Sequence, residues 1–282
     1  MRIREYSLPA GWYPRDSSEV SAEISAQITQ FSRGFDRQGR FSGAAIAPHA
    51  GWYYSGRLAS LGIASLEPDA ETIVVLGGHL SAGSPFLFAM EDAVRTPFGP
   101  MPIDTELRSF LLKEFDGMED RYRDNTVEVL LPMVRYFFPQ AALVWVRFPD
   151  RLESFEAGKT ISRVSAKLNR KVNVLASADL THYGSNYGFS PQGSGKAALR
   201  WVREVNDANF IRAVESGDSG EVLRRAALDY STCSAGAVLG AMGFAEAAGL
   251  GKARLLEYTT SADVSGEENP DSFVGYAAFT FL

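Results

Sequence analysis

Apolar positions recur along the chain with two periods, one typical of helices and one typical of buried strands. In DSSEVSAEISAQITQF, Val20, Ile24 and Ile28 repeat at helical spacing, and Asp16 precedes them as a candidate N-cap. The run TIVVL within ETIVVLGG is instead continuously apolar and largely β-branched, which is typical of a strand buried on both faces. We therefore predict an amphipathic helix near the start of the chain and a buried strand further on.

The two patterns alternate through most of the remaining sequence. Strands are predicted for FSGAAIA, AALVWVRF, KVNVLASAD, ARLLEYTTS and SFVGYAAFTFL, and a short strand pair for the Pro- and Gly-rich segment before Asp104. Helices are predicted for GRLASLGIASL, TELRSFLLKEF, VEVLLPMVRYF with a bend or stop at Pro132, FEAGKTISRVSAKL, and three segments between Gly195 and about Ala248. This alternation predicts an α/β fold, a single domain over 1–282 with a mostly parallel central sheet covered by helices on both faces.

The charge balance argues against two classes of partner. Across 282 residues the chain carries 28 Lys and Arg against 34 Asp and Glu, a formal net charge of −6. It therefore offers no basic surface for nucleic acid or for an anionic membrane, and we expect neither as a partner. The first residues lack the order of a secretory signal, and no segment has about 18 uncharged apolar residues, which predicts a cytoplasmic protein. The single cysteine, Cys233, fits a reducing compartment.

The three histidines occupy similar positions in the sequence. His49 follows AAIA, His79 follows TIVVLGG and His182 follows VNVLASADLT, so each lies just past the predicted carboxyl end of a strand. Loops at the carboxyl ends of neighbouring parallel strands converge on one edge of the sheet, which predicts a pocket shared by the three imidazoles. The alternative is that each histidine only hydrogen-bonds its own loop.

Cys233 and Asp179 extend this candidate site. Ser231 or Thr232 can cap a helix that begins near the sulfur, and a helix N-terminus favours the thiolate, the form of cysteine that binds metals. Two imidazoles and a thiolate suit iron, zinc or copper rather than magnesium or calcium. Asp179 is either a ligand, a partner that orients an imidazole, or an acceptor in the turn. Cys233 can alternatively be a small buried apolar residue.

An ordered set of short motifs covers nearly the whole chain. AGWYPRD, APHAGWYYSG, GGH, RTPFGPMPID, SADLTHYGSNYGF, STCSAGA and DSFVGYAAFTF follow one another from about Ala10 to Phe281. Together they resemble the Memo-like family, which is protein B of the AmmeMemoRadiSam system. The resemblance implies an α/β domain related in fold to the class III extradiol dioxygenases, which use non-haem Fe(II). It also implies a functional association with radical-SAM and AMMECR-type proteins.

The resemblance assigns roles to particular residues. The family's metal pocket is attributed to the histidine of a PHAG motif, a second histidine and the cysteine of a TC motif, which match His49, His79 and Cys233. The aspartate and histidine of its SD-x-x-H motif match Asp179 and His182 and line the same pocket. Fe(II) is the metal most expected, with copper or zinc as alternatives.

The sequence also departs from the family pattern. Where an EHSIEVQLPF-like segment is common, this chain has DNTVEVLLPM, so Asn125 replaces a histidine and Leu130 replaces a glutamine. Glu128 remains, and we expect it to line the pocket. The GGH segment replaces a GPNH-type turn, which predicts a shifted backbone at His79.

Three functions are compatible with these residues. The first is a metal-dependent oxidoreductase, dioxygenase-like, in which His182 acts as acid or base and Asp179 orients it. The second is a non-catalytic binding protein for a peptide, a small molecule or a partner enzyme. The third is a metal-independent hydrolase that uses Cys233, His182 and Asp179.

Aromatic side chains are the predicted walls of the pocket. For the binding function we expect Trp52, Tyr53, Tyr54 and Tyr183 to line it, although these residues can equally pack at the edge of the sheet. The polar segment TTSADVSGEENPDS is interpreted as an exposed loop, either an ordinary connection or part of the pocket rim.

Overall fold

The computed structural model describes residues 1–31 and 41–282. Its helices are α1 Ser17–Phe31, α2 Trp52–Ala64, α3 Thr105–Glu114, α4 Asn125–Glu128, α5 Leu131–Phe137, α6 Glu153–Lys167, α7 Gly195–Trp201, α8 Asp207–Ser216, α9 Ser219–Asp229, α10 Ala235–Ala247 and α11 Ser261–Ser265. Its strands are β1 Ile3–Arg4, β2 Ala44–Ala47, β3 Thr72–Leu80, β4 Leu87–Phe88, β5 Ala93–Val94, β6 Met101–Pro102, β7 Met118–Glu119, β8 Ala142–Pro149, β9 Val172–Ser177, β10 His182–Gly184, β11 Ala253–Thr260 and β12 Ser272–Phe281. A π-helical segment, Val202–Asn206, joins α7 to α8.

Four parallel strands form the centre of the main sheet, in the order β2, β9, β3, β8. Antiparallel pairs extend it on both sides, because β12 pairs with β2 and β4 pairs with β8. Strand β12 also pairs with β10 and β11, and β7 lies beside β4 at the other edge. Strands β1, β5 and β6 form a separate small sheet. The prediction of a mostly parallel central sheet is confirmed.

Helices cover both faces of the main sheet, because successive side chains of a strand point to opposite sides. On one face, Val74 and Leu76 of β3 belong to a core that includes residues of α6 and α10. On the other face, Ile73 and Val75 belong to a core that includes residues of α1, α2 and α5. All four β3 side chains are fully buried, which explains the continuous apolar run TIVVL. The predicted α/β class is confirmed.

Several local features of the sequence account for where helices begin. Asp16 accepts a hydrogen bond from the backbone N–H of Ser18 at the start of α1, and Asp104 accepts one from the backbone N–H of Leu107 in α3. Pro132 lies in the first turn of α5. A proline is tolerated there but not in a helix interior, which accounts for the division of the predicted helix into α4 and α5.

Other elements differ from the sequence prediction. Helix α2 begins earlier than predicted, at Trp52. The segment that we interpreted as an exposed loop contains α11, which begins with a capping box formed by Thr260 and Asp263. In the described ranges 1–31 and 41–282, no helix has the length and apolar character needed to cross a membrane.

Candidate metal centre

His49, His79 and Cys233 meet at the carboxyl edge of the central sheet. His49 follows β2, His79 lies near the end of β3, and Cys233 comes from the loop between α9 and α10. One potential ligand atom from each of the three side chains lies within 4.8 Å of the other two. His49 Nε2 is 3.3 Å from Cys233 Sγ, and the two imidazole rings lie 5.0 Å apart between their centres. This arrangement could hold a metal ion.

The His49 ring is oriented by β9 and the loop after it. Its Nδ1 is hydrogen-bonded to the Ser177 hydroxyl at 2.9 Å, and its backbone N–H donates to Asp179 Oδ1 at 2.7 Å. The backbone carbonyl of His49 accepts a hydrogen bond from the Asn125 amide at 3.0 Å. Because Nδ1 is engaged, Nε2 is the nitrogen that faces the Cys233 sulfur. A hydrogen bond at the second nitrogen is typical of histidines that bind metals.

The His79 ring is oriented by a carboxylate. Its Nδ1 lies 3.0 Å from Asp124 Oδ2, and the same oxygen is 3.2 Å from an Arg147 guanidinium nitrogen. Burial raises the pKa of Asp124, but the hydrogen bond to His79 and the charge of Arg147 hold this pKa well below its usual value. Asp124 is therefore an ionised partner, and the other ring nitrogen of His79 is left for a ligand.

The GGH segment packs tightly against the loop that carries the cysteine. A Cβ at Gly78 would lie 2.1 Å from the Ser234 hydroxyl oxygen, so this position has no room for a side chain. His79 adopts a left-handed backbone with φ of 58°, which is uncommon for a residue with a side chain. The turn presents the imidazole toward Cys233 at the end of β3.

The cysteine loop is attached to Asp179. The Thr232 hydroxyl donates to the Asp179 carbonyl oxygen at 2.7 Å, and the Cys233 backbone N–H donates to the same oxygen at 3.3 Å. The Thr232 hydroxyl therefore does not cap α10. Asp150 instead accepts a hydrogen bond of 2.7 Å from the backbone N–H of Gly236 in the first turn of that helix. Burial raises the pKa of Asp150 to about 6.

The electrostatics of the cluster favour a thiolate among imidazoles. Burial raises the pKa of Cys233, but the nearby imidazoles of His49, His182 and His79 hold it well below its ordinary value. Burial lowers the pKa of His79, whereas Asp124 and the Cys233 sulfur raise it, to about 10. Metals bind neutral imidazoles and thiolates. A metal bound here would therefore release protons from any histidines that are protonated.

Asp179 and His182 adjoin the three residues. Asp179 Oδ2 lies 3.9 Å from Nε2 of His49 and 3.9 Å from Nε2 of His182. Burial raises the pKa of Asp179, although the charge of His49 opposes this shift. His182 Nε2 is buried and has no hydrogen-bond partner among residues 1–31 and 41–282. Since an unpaired buried nitrogen is unfavourable, His182 is suited to contact a bound molecule.

A cavity of about 800 Å³ opens over these side chains. His49, His79, Asp179 and His182 lie in its lining. Its aromatic lining residues are Trp12, Tyr54, Tyr187, Phe273 and Tyr276. The region of α11 contributes Ser261, Ala262, Ser265 and Glu267. The polar segment near the end of the chain is thus part of the rim.

Cys233 borders a second, smaller cavity of about 250 Å³. This cavity shares His182 and Tyr187 with the larger one, and Tyr230 also lines it. The rings of these two shared residues lie 4.9 Å apart between their centres.

Three of the four predicted aromatic walls are not in the described lining, and one of them, Tyr53, is exposed. Tyr54 lines the larger cavity as expected. Trp52 is buried in the core, where its ring N–H donates to the Val129 carbonyl at 2.9 Å. Tyr183 is also fully buried and stacks on Phe273 with ring centres 5.1 Å apart. Trp52 and Tyr183 therefore pack in hydrophobic clusters and are not part of the described lining.

Glu128 is likewise outside the described cavity lining, and it attaches an N-terminal segment that forms one wall. Its buried carboxylate accepts hydrogen bonds from the backbone N–H groups of Ser7 at 2.8 Å and Leu8 at 3.1 Å, and from the Tyr13 hydroxyl at 2.9 Å. Trp12 lies in this segment and lines the cavity. Glu128 thus acts on the pocket through the position of the N-terminal segment.

The two departures in the DNTVEVLLPM segment have different consequences. Asn125 lines the cavity, and its amide holds the backbone of His49. Leu130 is buried in the core between the sheet and helices α1 and α2. Of these two substitutions, Asn125 is the one that changes the surface of the candidate site.

Ser177 and Asp124 were not identified from the sequence. Both are polar residues at the end of an element, because Ser177 ends β9 and Asp124 precedes α4 as its N-cap. Their partners are distant in the chain, since Ser177 lies 128 positions from His49 and Asp124 lies 45 positions from His79. The polar end of a strand and the N-cap were visible signals, but their imidazole partners were not.

A buried carboxyl supports the loop between Asp179 and His182 from below. Asp207 Oδ1 accepts hydrogen bonds from the Thr181 backbone N–H at 3.2 Å and from the Thr181 hydroxyl. Asp207 Oδ2 accepts one from the Tyr258 hydroxyl at 2.8 Å, and Asn206 donates to the Thr181 hydroxyl at 2.9 Å. Asn206 and Asp207 lie where the π-helical segment meets α8, a type of irregularity that is frequent at functional sites.

Comparison with known proteins assigns a family to this chain. The family model described as Memo-like protein matches residues 4–280. The chain belongs to the Memo family. Its relatives include a MEMO1 family protein of Pyrococcus abyssi, which is 30% identical with 98% of both chains covered. A MEMO1 family protein of Thermococcus onnurineus is 28% identical with 99% of both chains covered. The resemblance found in the motifs is confirmed.

A solved structure has a fold similar to that of this Memo-family chain. It is the crystal structure of an uncharacterized protein from Escherichia coli K12, with a TM-score of 0.54 and 13% sequence identity. The match covers 84% of this chain and 98% of the other. At this identity the similarity concerns the fold alone.

Proposed function

We propose that this Memo-family chain binds one transition-metal ion through His49, His79 and Cys233, with Fe(II) as the first candidate and copper or zinc as alternatives. The observation that carries the proposal is the convergence of three potential ligand atoms within 4.8 Å of one another. Imidazole and thiolate ligands suit these metals. The hydrogen bonds of the two imidazoles to Ser177 and Asp124 give further support, because they leave one nitrogen of each ring for a metal.

The proposed reaction is oxidoreductase chemistry of the dioxygenase-like type on an organic molecule bound in the cavity. A bound iron or copper ion would supply a redox-active Lewis acid at the cavity floor. His182 is the candidate acid or base, because its buried Nε2 lacks a hydrogen-bond partner in the described part of the chain. Asp179 lies 3.9 Å from both His49 and His182 and acts as a positioning residue for the two rings.

A second candidate function is binding of a small molecule or peptide without turnover. The size of the cavity, about 800 Å³, favours it, because small-molecule sites commonly have this volume and aromatic lining. The two functions differ in their dependence on the metal. Ligand binding that persists in His49→Ala and Cys233→Ser would favour the second function.

Metal analysis of protein prepared without oxygen tests the first function. We expect about one equivalent of transition metal per chain, in line with a single three-ligand site. His49→Ala should lose the metal, and Cys233→Ser should bind it more weakly and lose the thiolate-to-metal absorption of a copper-loaded sample. His182→Ala is the matched control, since it removes an imidazole of the same cavity that is not among the proposed ligands, and it should keep the metal.

Two results would contradict the metal proposal. One is the absence of uptake when Fe(II), Cu or Zn is titrated into the protein under anaerobic conditions. The other is a hydrolase activity that survives chelators and is abolished by alkylation of Cys233, which would support the metal-independent hydrolase instead.

A further inference from the structure

The turn that carries His79 is a bulge between the parallel strands β3 and β8. Gly77 lies opposite Arg147, and Leu80 lies opposite Pro149. Between these two pairs β3 advances by three residues, whereas β8 advances by two. A bulge leaves backbone groups without a partner in the ladder and changes the direction of a side chain. The carbonyl groups of the bulge therefore need other hydrogen-bond donors.

Arg147 supplies these donors from the opposite strand. Its Nε donates to the Gly78 carbonyl oxygen at 3.0 Å, and its Nη2 donates to the His79 carbonyl oxygen at 3.4 Å. The same Nη2 lies 3.2 Å from Asp124 Oδ2, the oxygen that is hydrogen-bonded to the His79 ring. A guanidinium presents its N–H groups in one plane at fixed angles. One side chain thus holds both the backbone of His79 and the partner of its ring.

Thr126 holds the remaining polar groups of this turn. Its hydroxyl accepts a hydrogen bond from the Gly78 backbone N–H at 3.2 Å and donates one to Asp124 Oδ1. Its backbone N–H donates to the same Asp124 oxygen at 2.9 Å. The division of contacts is therefore clear. Thr126 fixes the N–H side of the turn and Oδ1, whereas Arg147 contacts the two carbonyl oxygens and Oδ2.

A second carboxylate compensates the buried charge of Arg147. Arg147 is only 4% exposed, and its Nη1 lies 3.6 Å from Oδ1 of the buried Asp120. Asp120 in turn accepts a hydrogen bond of 3.1 Å from the ring N–H of Trp145. A buried ion pair often stabilises a fold no more than apolar side chains of similar volume do. Core packing alone therefore does not account for an arginine here, whereas its contacts with the His79 turn do.

We propose that Arg147 is a positioning residue of the metal centre, which fixes the His79 turn and Asp124 relative to each other and so directs the second ring nitrogen of His79 at a metal. The inference rests on the proposed function in taking His79 as a ligand, and it adds the residue that sets the geometry of that ligand. The role depends on the directions of three contacts and not on positive charge alone.

Two substitutions separate the geometry of Arg147 from its charge. Arg147→Met keeps the length of the side chain without its donors, and it should weaken zinc binding about ten- to hundredfold. Arg147→Lys keeps the charge that compensates Asp120 and Asp124 but has no planar fork, and it should still weaken zinc binding about tenfold. Competition with a chromophoric chelator measures both affinities. Circular dichroism shows whether each variant is folded, and if Arg147→Met is not, Arg147→Lys decides the question.

The fold offers a matched control in another buried arginine. The Nη1 of Arg108 donates to the backbone carbonyl oxygens of Ala89 at 3.0 Å and Glu91 at 2.6 Å, so this side chain also holds two carbonyl groups of one segment. Arg108 belongs to α3 and does not line the cavity of the candidate metal centre in the described structure. Arg108→Met should bind zinc as the wild type does.

A measurement on metal-free protein reports the His79 ring itself. The chain has three histidines, so with isotope-labelled histidine the NMR signals of His79 are those that His49→Ala and His182→Ala have in common. We expect a slowly exchanging N–H at Nδ1, because this nitrogen is hydrogen-bonded to Asp124. In both Arg147 variants this proton should exchange with water about tenfold faster or more, and in Arg108→Met its rate should not change.

Arg147 variants that match Arg108→Met in zinc affinity and in N–H exchange would overturn the proposal. Weaker zinc binding with an unchanged exchange rate would also overturn it, because Arg147 would then not act through the His79 ring. Its failure is distinguishable from failure of the metal site. Uptake of zinc by all variants alike contradicts only the positioning role. A wild type that takes up no metal, with faster exchange only in the Arg147 variants, contradicts the metal centre and supports the positioning role.

Discussion

At the scale of single residues, the candidate centre depends on side chains that are not themselves ligands. Ser177 and Asp124 each occupy one ring nitrogen of a histidine and so decide which nitrogen faces Cys233. Asp124 is itself held by Arg147. A chain of hydrogen bonds of this kind fixes the angle and the protonation site of an imidazole before any ligand arrives.

Replacement of Asp124 by asparagine tests this dependence. We expect Asp124→Asn to weaken metal binding about ten- to hundredfold, because an amide orients the ring less firmly and leaves it less basic than a carboxylate does. Competition with a chromophoric chelator measures the affinity. Asp104→Asn is the control, since Asp104 is also a buried N-cap beside an arginine, Arg170, but lies in another part of the fold. Equal affinities of the Asp124 and Asp104 variants would contradict the orienting role.

The sequence predicts the candidate metal ligands better than it predicts the residues that hydrogen-bond and orient them. His49, His79 and Cys233 stand out because histidine and cysteine are rare in this chain and occur at the ends of predicted elements. Ser177 is one serine among many, and its contact with His49 exists because β2 and β9 lie side by side. Trp52 shows the opposite error, since its aromatic ring suggested a pocket wall but packs in the core.

At the scale of elements, α10 connects the candidate centre to the core. The helix begins shortly after Cys233 and is buried along most of its length. Its contact with α6 is very close, because a Cβ at Gly243 would lie 1.9 Å from the Phe155 carbonyl oxygen. A Cβ at Gly158 of α6 would lie 2.0 Å from the Gly240 carbonyl oxygen. The two helix backbones therefore touch with no side chain between them.

Gly243→Ala should separate these helices and lower the free energy of unfolding by about 2 kcal/mol or more, as overpacked cores do. Unfolding in urea, followed by circular dichroism, measures the change. Gly83→Ala is the control, because nothing lies within 4 Å of the Cβ that it would add. If the two alanine variants were equally stable, the close contact between α6 and α10 would be disproved.

Hydrophobic periodicity and the positions of proline and glycine predicted most helices and strands, but not the irregularities within them. The split between α4 and α5 follows from Pro132, whose ring does not fit a helix interior. The π-helical segment between α7 and α8 has no comparable signal, because the sequence there contains neither proline nor glycine. It forms where Asn206 and Asp207 bind Thr181, a contact that only the tertiary fold supplies.

At the scale of the whole molecule, Asp207 joins segments that lie far apart in the chain. It binds Thr181 in the loop after β9 and Tyr258 in β11, and a Cβ at Gly275 in β12 would lie 2.1 Å from its Oδ2. Burial raises the pKa of Asp207 to about 6, although hydrogen bonds from Thr181 and Tyr258 oppose the shift. The global stability of the fold is therefore linked to this one carboxyl.

The direction of the pH dependence follows from that shift. Because the pKa of Asp207 is higher in the folded chain than in the unfolded chain, the folded chain binds the proton more tightly, and stability from this group declines as the pH rises through 6. Between pH 5 and 7.5 we expect the wild type to lose about 1 kcal/mol relative to Asp207→Asn, which cannot ionise. Urea unfolding of both proteins at the two pH values measures the difference. A difference that is constant, or that changes in the opposite direction, would refute the link.

The sequence did not predict the order of the strands in the sheet. The α/β class follows from alternating patterns, but β9 lies between β2 and β3 although it comes after β8 in the chain. This insertion brings the loop of Asp179 and His182, which follows β9, to the same edge of the sheet as His49 and His79. The shared pocket could be predicted from the strand ends, whereas its internal arrangement depended on this topology.

The left-handed backbone of His79 lowers the stability of the fold, whereas its side chain is one of the three proposed metal ligands. Glycine adopts a φ of 58° freely, whereas a residue with a side chain does so at a cost of about 1 kcal/mol or more. Stability alone would thus favour glycine at this position near the end of β3. The proposed metal ligand is thus held at a cost in stability, and a stabilised version of this protein that keeps His79 would have to gain its extra stability elsewhere in the chain.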